Sequence, residues 1–82
     1  MKARLPAPGD IIETNYATGG VVRCVNYHPE DHTYSVTYTR PPSPRLYWIN
    51  NVRLDGDTIR AGGADTIKIT GQTTANFQPS ML

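Results

Sequence analysis

Three side chains of types that bind zinc lie four residues apart in the first half of the chain. They are Cys24, His28 and His32. Sulfur and imidazole ligands of this kind hold zinc, so a metal site is one chemistry to weigh. A four-residue step aligns side chains on a helix, whereas Pro29 and the β-branched run before it make this region non-helical. We therefore expect Cys24 to act as a small buried hydrophobe and both histidines to be solvated, with no metal and no cofactor.

Nucleophilic catalysis would require a base beside Cys24 or beside a serine, together with an orienting group and an oxyanion site. No serine lies in a Gly-x-Ser-x-Gly elbow, and neither Gly19-Gly20 nor Gly62-Gly63 has the spacing of a phosphate-binding loop. The carboxylates at positions 55, 57 and 65 occupy predicted turns, where turn formation accounts for them. The sequence therefore predicts a protein that is not an enzyme.

Aromatic and arginine side chains are the remaining groups that could do chemistry, and they indicate binding. Tyr47 and Trp48 are adjacent in a predicted strand, so one ring faces inward and the other faces solvent, and the sequence leaves both assignments open. A large exposed ring usually marks an interface. The predicted binding surface is drawn from Tyr16, Tyr27, Arg40, Arg45, Tyr47, Trp48 and Arg53.

The charge of the chain favours another protein as the partner of this surface. Eight basic and seven acidic side chains leave a formal charge of +1, without the positive excess that binding to a phosphate backbone usually requires. Arginine mixed with tyrosine and tryptophan also occurs in single-strand binders, so nucleic-acid binding is the alternative. The segment from Arg40 to Arg45 contains a P-x-x-P element, which we interpret as a stiff surface loop and not as a polyproline ligand.

One stretch, Thr33 to Thr39, gives the clearest indication of the structure that must position these residues. Tyr34, Val36 and Tyr38 alternate there with hydroxyl residues, which predicts a central strand with one buried face. No window shows helical periodicity over three turns. Residues 51–54 are predicted to turn toward a tight Asp55-Gly56 turn. The predicted strands are 10–14, 21–27, 33–39, 46–50, 58–60 and 66–70.

The second predicted strand is apolar on both faces. Val21, Val25 and Tyr27 share one face by alternation, and Val22 and Cys24 share the other. A strongly curved strand that contributes to two sides of a barrel would have this pattern. We therefore expect an all-β fold, a small barrel of five to six strands.

The predicted domain organisation is an extended arm at residues 1–9, a barrel at 10–70 and a flexible tail at 71–82. Pro6 and Pro8 disfavour helix in the arm, and the tail has few apolar groups. The single cysteine permits no internal disulfide, which fits a reducing compartment. No apolar run follows the basic start of the chain, so no export signal or membrane span is predicted, and the cytoplasm is the expected location.

The strand pattern resembles the small barrels of the SH3-like class. The similarity covers residues 9–54, with Gly9-Asp10-Ile11-Ile12 at the start, Gly20-Val21-Val22 opening the second strand and Leu46 to Val52 closing the fourth. It implies an SH3-like barrel. The plasmid-borne type II dihydrofolate reductases are also small SH3-like barrels, with a Val-Gln-Ile-Tyr segment in the fourth strand. Here that place holds Leu46-Tyr47-Trp48-Ile49 without the glutamine, so this resemblance fails at the functional motif.

Three phrases of the sequence also look like small uncharacterised proteins encoded on phages and plasmids. They begin at Gly9 (Gly-Asp-Ile-Ile-Glu-Thr-Asn-Tyr), at Tyr47 (Tyr-Trp-Ile-Asn-Asn) and at Leu54 (Leu-Asp-Gly). For a gene of that origin, the natural specific version of a binding module is an inhibitor that covers a host factor such as a defence complex, as anti-CRISPR proteins do.

Overall fold

Six antiparallel strands close into a barrel in the computed structural model, which describes residues 3–62 and 65–73. Each strand pairs with the next one in the chain, and β6 pairs with β1 to complete the ring. This all-β barrel confirms the predicted fold class and is consistent with the SH3-like type. The strands are β1 (Asp10–Thr14), β2 (Gly20–His28), β3 (Thr33–Thr39), β4 (Leu46–Asp55), β5 (Thr58–Ala61) and β6 (Asp65–Gln72).

The central strand β3 is buried on both faces. Val36 and Tyr38 point into the core, as the alternating pattern predicted, and Tyr34 is half-buried against it. Ser35 and Thr37 are buried as well, so the prediction of a single buried face is wrong. Ser35 and Thr37 are buried because β3 lies between β2 and β4, whose side chains cover these short hydroxyl residues from either side. The core consists of Ile12, Val22, Val36, Tyr38, Val52, Ile59, Ala61 and Ile67.

A bulge in β2 changes which of its side chains share a face. Val22 pairs with Tyr38 and Cys24 with Thr37, so Arg23 is an extra residue in the ladder. Val22 and Val25 therefore both pack toward the core, although strict alternation placed them on opposite faces.

A second bulge lies in β4 and corrects the predicted turn at residues 51–54. Val52 pairs with Tyr34 and Ile49 with Val36. The two β4 residues at positions 50 and 51 therefore lie opposite the single β3 residue at position 35. Asn51 takes a φ of 58°, a left-handed conformation that asparagine adopts more readily than most residues. The strand continues through the bulge to Asp55, where Gly56 has the positive φ expected for the tight turn.

Asp10 connects the N-terminal arm to β1 and β6, the two strands whose pairing closes the barrel and forms its seam. Its fully buried carboxylate accepts hydrogen bonds from the Arg4 guanidinium at 2.8 and 3.2 Å, from the Ala7 N–H at 2.7 Å and from the Gln72 amide at 3.1 Å. Burial alone would raise the pKa of Asp10, but these donors outweigh it and hold the pKa below its ordinary value. The hydrogen bonds to Asp10 and its negative charge in turn raise the pKa of Arg4.

The two ends of the domain are partly fixed by this seam. β6 runs two residues further than predicted, because Gly71 and Gln72 pair with Ile11 and Asp10. Residues 1–2 of the predicted arm and 74–82 of the predicted tail lie outside the described residues. Within the described ranges there is no helix, and hence none long and apolar enough to cross a bilayer.

Candidate functional site

Trp48 is the exposed member of the Tyr47–Trp48 pair. Tyr47 and Ile49 pack toward the core, so alternation directs Trp48 outward with 64% of its surface accessible. It lies directly across from Thr37 of β3. The structure thus resolves the choice that the sequence left open.

Tyr16 is held in a structured loop between β1 and β2. The Thr14 hydroxyl accepts hydrogen bonds from the N–H groups of Tyr16 and Ala17, each at 3.1 Å, and the Thr14 N–H donates to the Ala17 carbonyl at 2.8 Å. The Asn15 side chain accepts from the Thr66 N–H at 2.9 Å and connects this loop to β6. The Tyr16 ring is 82% exposed although its backbone is fixed.

Tyr16 and Trp48 meet around a cavity of about 290 Å³, which we call the aromatic groove. It lies between the first half of β4 and the β1–β2 and β5–β6 connections. The Tyr16 hydroxyl is 3.5 Å from Oδ1 of Asp65. The groove is somewhat below the ~300–1,000 Å³ of typical small-molecule sites and suits one or two side chains of a partner. Its lining includes Tyr16, Tyr38, Trp48, Asn50, Gly62 and Asp65.

The first half of β4 has a strand partner on only one side within the described residues. Residues 46–49 pair with β3, whereas β5 pairs with β4 only from Val52 onward. The Gly62 N–H reaches the Asn51 carbonyl at 3.1 Å, where the chain leaves β5. No Cα atom of β4 lies within 8 Å of one in β1 or β6. The groove is therefore bordered by a strand edge that can pair with another chain.

Two arginines extend this surface at the start of β4. The guanidinium carbons of Arg40 and Arg45 lie 5.9 and 5.6 Å from the centre of the Tyr47 ring, within cation–π range. The Tyr47 ring in turn stacks on Tyr38, with centroids 5.4 Å apart. Both arginines are exposed, and neither forms an ion pair with a described carboxylate. Their charge is therefore open to a partner.

Arg53 and Tyr27 occupy different positions from one another. Arg53 donates to the Gly62 carbonyl at 3.2 Å and so lies at the other border of the groove. Tyr27 packs against Tyr34 with centroids 4.9 Å apart, and its hydroxyl is 3.0 Å from Nδ1 of His32. It belongs to the β2–β3 hairpin, roughly 13 Å along β3 from Tyr38. Of the seven predicted residues, Tyr16 and Trp48 line the groove. Arg53 contacts Gly62 of its lining, and Tyr47, with Arg40 and Arg45 over its ring, contacts it through Tyr38. Tyr27 stands apart.

Asp65 and Asn50 are groove residues that the sequence did not single out. Asp65 is 49 positions from Tyr16 and was interpreted as a turn residue. Asn50 lies in the predicted fourth strand with no charge or ring to distinguish it. No local pattern connects either residue to Tyr16, because barrel closure alone brings them together.

The residues considered for catalysis and metal binding point to different neighbours. His28 lies 3.0 Å from the Ser35 hydroxyl, His32 contacts Tyr27, and the Asn26 amide is 3.9 Å from the Cys24 sulfur. Among the described residues no group of three or more His, Cys, Asp or Glu side chains could hold a metal ion. No described carboxylate hydrogen-bonds to His28 to complete a triad with Ser35.

A larger cavity of about 630 Å³ lies between the N-terminal arm and the β5–β6 hairpin. Its lining contains isoleucine side chains together with the basic Arg4 and Lys68 and the acidic Asp57. Its described lining includes no aromatic side chain and none of the predicted binding residues, and Arg4 is already paired with Asp10. The aromatic groove is therefore the better candidate for a binding site.

No family model matches this chain, and comparison with curated proteins and with solved structures gave no match. Function is therefore inferred from the residues and their geometry.

Proposed function

We propose that this protein is a non-enzymatic protein-binding module that contacts its partner through the aromatic groove and the arginines beside it. One observation carries the proposal: Tyr16 and Trp48 are both highly exposed, yet they line the same cavity beside an edge of β4 that pairs with no described strand. Exposed tyrosine, tryptophan and arginine are the residue types that dominate binding energy at protein interfaces.

We further propose that the biological role of this module is inhibition of a host factor. An SH3-like barrel from a phage- or plasmid-borne gene would inhibit a host factor, such as a defence complex, by covering one of its surfaces. The single cysteine suits a reducing compartment, and we place the interaction in the cytoplasm. A dihydrofolate reductase-like activity is not part of the proposal, because the segment from Leu46 to Ile49 lacks the glutamine of that family.

Nucleic-acid binding is the second candidate. Arg40 and Arg45 against the Tyr47 ring are an arrangement that single-stranded nucleic acid also uses. It is less favoured, because the groove contains the carboxylate of Asp65 and the net charge is only +1. Salt separates the two candidates: affinity for nucleic acid falls steeply between low and physiological salt, whereas a protein interface centred on aromatic rings changes little.

Affinity capture from a lysate of the host cell, with and without nuclease, tests the proposal. The baits are the wild type, Trp48→Ala and the control Leu54→Ala, which removes an exposed apolar side chain of the same strand outside the groove. We expect the wild type and the control to retain the same protein after nuclease treatment, and Trp48→Ala to lose it. Recovery of nucleic acid alone, or equal recovery by all three baits, would contradict the proposal.

A further inference from the structure

The unpaired edge of β4 restricts what kind of partner fits the aromatic groove. Residues 46–49 form the regular part of β4 before its bulge, and on the groove side residues 46–50 have no described strand beside them. Such an edge presents backbone N–H and C=O groups at the spacing of a polypeptide in extended conformation. Neither a nucleic acid nor a helix can match that spacing with its own backbone. Strand addition is a recognised way to bind an extended peptide.

The charges around the edge restrict the partner further. Arg40 and Arg45 stand together at the start of β4, on the same Tyr47 ring and without a described carboxylate partner. By contrast, Arg60 is neutralised by Asp55 at 2.7 Å and Arg4 by Asp10. The two arginines over the Tyr47 ring therefore give a local positive field that an acidic side chain would complement.

We propose that the partner segment is an extended, acidic peptide that adds as a strand to the free edge of β4. This inference rests on the proposed function and names the chemistry of its partner. An apolar or aromatic side chain of the segment enters the aromatic groove between Tyr16 and Trp48, and an aspartate or glutamate meets Arg40 and Arg45. Because both contacts are made by one strand in a fixed register, the acidic and apolar side chains should be separated by a constant number of positions in the peptide.

Selection from a display library of random twelve-residue peptides tests this chemistry directly. Wild-type protein is expected to enrich peptides with an acidic residue at a constant separation from a large apolar one. The double variant Arg40→Glu/Arg45→Glu is expected to enrich lysine or arginine at that position instead, because both arginines are exposed and reversing them leaves the core intact. Enrichment without a charge preference, or a preference that the double variant does not reverse, would overturn the inference.

The enriched peptides can then be measured in solution, since Trp48 is the only tryptophan and lies in the groove. Its fluorescence should change on titration with a synthetic peptide. Charge reversal of the arginines or Tyr16→Ala should weaken that binding by about tenfold or more. Amide hydrogen exchange should slow in the complex at alternate residues of 47–50, those whose N–H groups point away from β3, and much less at the amides between them.

The outcomes separate the inference from the function on which it rests. Peptides that bind while leaving exchange at residues 47–50 unchanged would refute strand addition and leave protein binding in place. Self-association through the edge would appear as a dimer in sedimentation and would also refute the inference. If the protein, followed by Trp48 fluorescence, bound a single-stranded oligo-dT more tightly than any selected peptide, both the inference and the proposed function would be overturned.

Discussion

Replacing Asp10 by asparagine should destabilise the barrel strongly, because every contact of this carboxylate is with a donor. Oδ2 accepts from Arg4 and Ala7, and Oδ1 accepts from Arg4 and Gln72. Asparagine retains one acceptor oxygen and places an NH₂ group against the donors on the other side. Two hydrogen bonds to a charged acceptor are lost, each worth ~1.5–3 kcal/mol.

The Arg4 side chain is 55% exposed, so solvent screens its share and the expected loss is about 2–4 kcal/mol in total. A domain of 82 residues has a stability of roughly 4–12 kcal/mol, so this is a large fraction. In urea, with an m-value of about 1 kcal/mol/M, the unfolding midpoint should fall by roughly 2 M or more.

The pH dependence of Asp10→Asn provides an independent check of the same reasoning. The folded pKa of Asp10 lies below its unfolded value of about 3.9. Its contribution is therefore fully present above that unfolded value and disappears as the pH falls through the folded pKa. The stability gap between wild type and variant should be wide at pH 7 and should narrow as the pH falls through the folded pKa of Asp10.

The matched control for this prediction is Asp55→Asn, since Asp55 also pairs with an arginine but its side chain is 61% exposed. Surface pairs of this kind contribute about 0–1 kcal/mol, so the control should unfold near the wild-type midpoint. Equal midpoints for wild type and Asp10→Asn at pH 7, or equal losses in both variants, would refute the role assigned to the buried carboxylate.

Three further predictions concern the core, the β4 bulge and the groove. Gly20→Ala should cost about 1–3 kcal/mol in chemical denaturation, because its Cβ would lie 2.7 Å from the Tyr38 ring, whereas Gly71→Ala, with a nearest contact of 4.0 Å, should cost much less. Asn51→Val should destabilise by about 1–2 kcal/mol and Asn51→Gly by much less, because the backbone there has a φ of 58°; equal melting temperatures would contradict this. Trp48→Ala should change the free energy of unfolding by no more than about 0.5 kcal/mol, because the ring is mostly exposed. A large loss of stability would mean that Trp48 is structural.

Most of the fold could be predicted from local patterns. The alternation from Thr33 to Thr39 identified β3, and the Asp55-Gly56 pair located the turn that follows β4. The predictions were wrong where a bulge breaks the period of two, at Arg23 in β2 and around Asn51 in β4. A bulge inserts one residue without a distinctive sequence pattern, so alternation continued past it assigns side chains to the opposite face.

The candidate site was predictable in its residue types but not in its arrangement. Tyrosine, tryptophan and arginine were predicted to be binding residues from their chemistry, and their role in binding stays a prediction. The sequence could not decide between Tyr47 and Trp48, because alternation fixes that two neighbours face opposite ways without fixing which one faces the core.

The sequence by itself determined that this chain is a small all-β domain whose most distinctive side chains are aromatic rings and arginines, because the period of a strand and the chemistry of a side chain are local properties. Only the tertiary structure decided that Tyr16, Trp48 and Asp65 line one groove, beside an edge of β4 that has no strand partner in the described part of the chain. The pairing of β6 with β1 closes the barrel across almost the whole length of the chain. Contacts made by that closure join residues tens of positions apart, and no window of sequence contains both partners.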